Sequence, residues 1–77
     1  METRELVGKW IVADLAAVTL DQSGNEVFKV VGYNADLDWV IVDAGNQGWK
    51  GAARDGDIAE KCETYWYMRP ADIIGVL

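Results

Sequence analysis

Trp39-Val40-Ile41-Val42 is an unbroken apolar run in which three of four residues are β-branched. A strand sends alternate side chains to opposite faces of its sheet, so such a run is buried only when both faces are covered. In a chain of 77 residues that demand is severe, because so short a chain folds as one domain with little apolar surface to spare. The run therefore predicts a buried strand in a mainly β fold, with residues 1–77 as a single small domain whose one good interior leaves the strand's second face to be covered by another copy of the chain.

Other segments read the same way. Val27 to Val31 carries β-branched and aromatic residues around Lys29, and Tyr65 to Met68 is a short aromatic strand that Pro70 stops. Ala71-Asp72 suits a tight turn, after which Ile73 to Leu77 reads as a closing strand. Asp21-Gln22-Ser23-Gly24-Asn25 is a cluster of turn formers in which Gly24 or Asn25 can take positive φ, so Ala13 to Leu20 is expected to be the first arm of a hairpin. A helix over Val7 to Leu20 is the competing reading, since Ile11, Leu15 and Val18 share a helical face. Tyr33 to Asp38 is a polar loop between the second and third strands. The glycine-rich stretch from Ala44 to Gly51 leaves the sheet, and Asp57-Ile58-Ala59-Glu60 has capping-box spacing that predicts a short helical turn through Glu63, before the fourth strand.

Five short strands with one hairpin are most economically arranged as a small closed barrel, which hides the edges. The order, with Trp66-Tyr67-Met68-Arg69-Pro70-Ala71-Asp72-Ile73 as strand, turn and final strand, resembles small SH3-like and Tudor-like barrels. In length and closing segment the chain is also similar to the plasmid-borne trimethoprim-resistant dihydrofolate reductases, a resemblance that implies an oligomeric barrel. Their pore strand carries Val-Gln-Ile-Tyr, whereas this chain has Glu63-Thr64-Tyr65-Trp66, so no catalytic residue is carried over.

Composition excludes several functions. Thirteen acids against seven bases give a net charge of -6, which opposes phosphate neutralisation, so no direct nucleic-acid binding is expected. The chain has no histidine, which removes Ser-His-Asp and Cys-His nucleophilic machinery and the commonest transition-metal ligand. Its single cysteine, Cys62, closes no intrachain disulfide and suits a reducing cytoplasm. Lys9 and Asp14 interrupt the early apolar stretch, so neither a signal peptide nor a membrane span is expected. Asn34-Ala35-Asp36-Leu37-Asp38 imitates the start of a calcium loop, but Trp39 and Gly45 stand where glycine and glutamate are required. Gly45-Asn46-Gln47-Gly48 matches a backbone-clamping GXXG without the flanking helices or the positive field that motif needs. No metal and no cofactor are expected.

What stands out is aromatic. Four tryptophans accompany Phe28 and three tyrosines. Phe28 and Trp39 lie inside apolar runs and are expected in the core. Trp49 sits among polar and glycine residues where no periodicity asks for a ring, and in Tyr65-Trp66-Tyr67 alternation sends Trp66 to one face and both tyrosines to the other. Rings beside acids recognise cations, and the Tudor resemblance implies such a cage, for which Tyr33, Asp36, Asp38, Trp49 and Tyr65 are candidates. Tudor cages, however, use the loop between their first two strands, here Asp21 to Asn25, which has no ring. The expected function is a non-enzymatic interaction module, a homo-oligomer (dimer or tetramer) that binds a protein or a small apolar or cationic ligand through Trp49, Trp66, Tyr65, Tyr67, Tyr33, Asp36 and Asp38. Two alternatives stand beside it: an enzyme whose site forms where subunits meet, and an acidic inhibitor that mimics nucleic acid on a basic partner.

Overall fold

A computed structural model describes residues 2–18, 23–43 and 64–77. They form an all-β fold of five strands: β1 (Trp10–Asp14), β2 (Asn25–Asn34), β3 (Trp39–Asp43), β4 (Tyr65–Met68) and β5 (Ile73–Val76). The strands lie in the order β4-β3-β2-β1-β5, and every pairing is antiparallel. Short 3-10 turns at Thr3–Leu6, Leu15–Ala17 and Pro70–Asp72 complete the described structure. None of the described helices is long and apolar enough to cross a membrane.

β3 sits inside the sheet as its apolar run requires, and Val40, Ile41 and Val42 are all fully buried. Val40 and Val42 face a cluster with Leu6, Ile11, Ala13, Phe28, Val30 and Met68, while Ile41 faces a second cluster with Val31 and Tyr65. Both faces of this strand are thus covered from within one chain, so the expected need for a second copy over Trp39–Val42 is corrected. Trp39, expected in the core, is only half-buried at the start of β3.

The first strand departs from expectation. It runs over Trp10–Asp14 rather than from Ala13 onward, and the α-helical alternative is overturned over the described residues 7–18, residues 19 and 20 of both readings lying outside them. Asp14 Oδ1 accepts hydrogen bonds from the amides of Ala16 at 2.9 Å and Gly24 at 3.1 Å. That local bond offers the backbone an alternative to the ladder, and Leu15-Ala16-Ala17, poor in β-formers, takes it as a 3-10 turn. Gly24 has φ +110°, the conformation its lack of a Cβ permits, and Asn25 then opens β2. β2 also extends through Tyr33 and Asn34, so the expected loop shrinks to Ala35–Asp38. The expected helical turn at residues 57–63 and the glycine-rich excursion at 44–51 lie outside the described residues.

The sheet is not closed: β4 and β5 are its two edges, so the expected barrel closure is corrected to an open, curled sheet. Curling follows from the connection between those edges. Four inter-strand spacings of about 4.8 Å put the edges of a flat sheet about 19 Å apart. The chain from Met68 to Ile73 reaches at most about 17 Å, and it spends part of that on the turn at Pro70–Asp72. Irregularities in register between Val30 and Gly32 and between Val12 and Ala13 supply the bend. The curl brings the edges near without aligning a fifth ladder. Arg69 clamps the turn, donating from Nε and one terminal nitrogen to the two carboxylate oxygens of Asp72 at 2.9 and 3.1 Å.

Candidate functional site

The sequence-predicted residues fall in separate places. Tyr33 and Asp38 meet: the Tyr33 hydroxyl donates to Asp38 Oδ1 at 2.5 Å across the β2–β3 turn. Asp38 adopts φ +56°, a left-handed backbone that aspartate tolerates better than most residues, and its Oδ2 accepts from Thr3 Oγ1 at 3.3 Å. Asn34 Oδ1 accepts the Leu37 amide at 3.0 Å and closes the turn. These contacts tie the first 3-10 turn to the β2–β3 connection, around an open polar cleft of about 460 Å³ lined by Glu2, Thr3, Arg4, Tyr33 and Asp38. Arg4 is paired there with Glu2 at 2.8 Å. Asp36 is exposed in the same turn.

The Asp38 hydrogen bond, reinforced by desolvation and by the carboxylate charge, holds the Tyr33 phenol above the ordinary value of 10.0. A raised folded-state value means that the bond contributes fully while the phenol is un-ionised in the unfolded chain as well. That contribution is lost as pH rises from about 10 through the folded-state value. The stability difference between the wild type and Tyr33→Phe is therefore expected to be constant from about pH 7 to pH 10 and to shrink above it, as read from urea melts at stepped pH. A difference that stays flat through pH 11 would remove this bond from the account.

β4 presents its rings as alternation dictates. Trp66 packs against the main cluster and meets Phe28 edge-on, with centroids 6.3 Å apart and planes at 71°. Tyr65 is buried in the second cluster and Tyr67 packs against it. Neither group joins Tyr33 and Asp38. Trp49 lies outside the described residues.

A surface that sequence reasoning passes over lies on the outer side of β2, β1 and β5. Ile11 and Ala13 point inward, so Trp10, Val12 and Asp14 point outward, opposite Lys29, Val27 and Asn25 of β2. On the other flank Gly75 lies opposite Val12, and the Leu77 amide donates to the Trp10 carbonyl at 2.9 Å. Trp10 is 51% exposed, Val27 44%, Ile74 60% and Leu77 73%. Gly75 leaves a gap among them, where an added Cβ would meet nothing within 4 Å. The available signal was the alternation Trp10-Ile11-Val12-Ala13-Asp14, which declares two faces once the strand is started at Trp10 rather than Ala13.

Comparison with protein-family models, with curated proteins and with solved structures finds no match to this chain.

Proposed function

We propose that the chain is a non-enzymatic interaction module that docks a protein partner on the outer face of β2, β1 and β5. The observation that carries this reading is Trp10, a half-exposed ring at the start of β1 beside Leu77 and diagonal to Val27, with Ile74 also exposed on β5. Together these side chains offer on the order of 400–500 Å² of apolar surface, within the range of functional patches on small monomers. A sheet face of this kind suits another protein surface better than a small molecule, which binds where it is mostly enclosed. The polar cleft at Tyr33 supports a cationic ligand less well, because Arg4, paired with Glu2, already brings a positive charge to its lining.

A docking residue is dispensable to the fold that carries it. Trp10→Thr, which keeps β-propensity, is expected to change stability at about 1 µM protein by no more than about 0.5–1 kcal/mol, since surface changes away from special features cost little. A thermal melt checks this. If the variant instead loses the roughly 3–5 kcal/mol typical of a core tryptophan, Trp10 belongs to the fold and this reading fails.

A further inference from the structure

We propose that the partner on this face is a second copy of the chain, docked about a two-fold axis with Trp10 of each copy seated over Gly75 of the other. The inference rests on the docking face described above and adds the identity of its occupant.

A two-fold interface must be self-complementary, so projection and recess have to lie on the same surface. Trp10 is the projection, and Gly75, with no side chain and open space above it, is the flat place that can receive a ring; they lie on neighbouring strands and one residue pair apart: Leu77 faces Trp10 and Gly75 faces Val12. With strands about 4.8 Å apart and same-face residues about 6.8 Å apart along a strand, the axis exchanging Trp10 with Gly75 is fixed in the face. It crosses the strands of the two copies at a steep angle, an arrangement known for packed sheets. The same axis sets Val12 close to Val12 of the second copy and carries Lys29 to the end of the face that holds Asp14. Opposite charges then meet without having been used to choose the axis.

Charge also favours this surface over others. A chain with net charge -6 repels its own copies, so they approach most easily where acids are fewest. Ile73–Val76 carries no charge, and the outward residues of β1 and β2 here hold one acid, Asp14, and one base, Lys29. Joining two such faces buries about 1,000 Å² in all, the low end of specific interfaces, which fits a weak dimer with a dissociation constant on the order of 100 µM.

Sedimentation of the full chain from about 1 µM to 1 mM tests the proposal, with Trp10→Thr and Gly75→Val alongside. The wild type is expected to pass from monomer to dimer, and Trp10→Thr to weaken association by roughly thirtyfold or more. Gly75→Val raises a side chain where the ring would sit, in a position with open space for it, so its monomer should fold at least as well while association falls about tenfold or more. A chain that stays monomeric to 1 mM overturns the second copy as partner, as does a dimer that either substitution leaves unchanged. Neither outcome touches the docking face itself, whose own test is the Trp10→Thr melt.

Discussion

Ile41→Ala is expected to remove about 3 kcal/mol or more of folding stability. The isoleucine is fully buried in β3 and packs with Val31 and Tyr65 on the face opposite the main cluster. Truncating a buried aliphatic to alanine costs about 2–5 kcal/mol, the larger values where the surroundings cannot collapse into the cavity. Ile41 is flanked along its strand by Val40 and Val42, which face the other cluster and cannot swing across to fill the space. A domain of 77 residues has about 4–11 kcal/mol in total, so the variant should melt far below the wild type or not fold at all. Urea denaturation measures the difference. A loss under about 1 kcal/mol would mean that the second cluster is not a core, and the two-sided burial of β3 would be wrong.

Phe28→Ala is expected to cost about 3–5 kcal/mol, because the ring is buried within the main cluster and also meets Trp66 edge-on. The contact with Trp66 is separable from the burial. Edge-to-face pairs contribute about 0.5–1.5 kcal/mol beyond their area, so a double-mutant cycle with Phe28→Leu and Trp66→Leu should show coupling of that size. Leucine keeps both sites filled and the singles measurable. Zero coupling would place the rings apart and would undo the assignment of Trp66 to the inner face of β4.

How much of this was legible in the sequence depends on the range of the interactions. β2, β3, β4 and β5 announce themselves through β-branched and aromatic runs bounded by glycine, proline or acids, a signal carried within a few residues. β1 was harder to place because Leu15-Ala16-Ala17 continues the apolar run past Asp14, and only the Asp14 side chain, bonded to the amides of Ala16 and Gly24, ends the strand there. The second of those amides is ten residues away, beyond any local pattern. Closure was not legible for a similar reason: whether β4 and β5 align depends on the bends at Val30–Gly32 and Val12–Ala13 acting together. The same shift hid the docking face. With the strand started at Ala13, Trp10 has no face assigned to it, and attention goes to Trp66 and Tyr65, whose rings the structure spends on the two clusters. Tyr33 and Asp38 were legible together because a four-residue turn returns the chain beside itself.

Amide chemical shifts followed by NMR during dilution test the second copy as the partner of the Trp10 face most directly, since they report on each backbone position without a mutation. The account expects shifts that grow with concentration at Trp10, Val12, Val27, Ile74 and Gly75, with Val40 to Val42 unmoved in their buried strand. Spectra that are invariant from about 1 mM down to 10 µM, or changes centred on β3 and β4 with the Trp10 face silent, would contradict it.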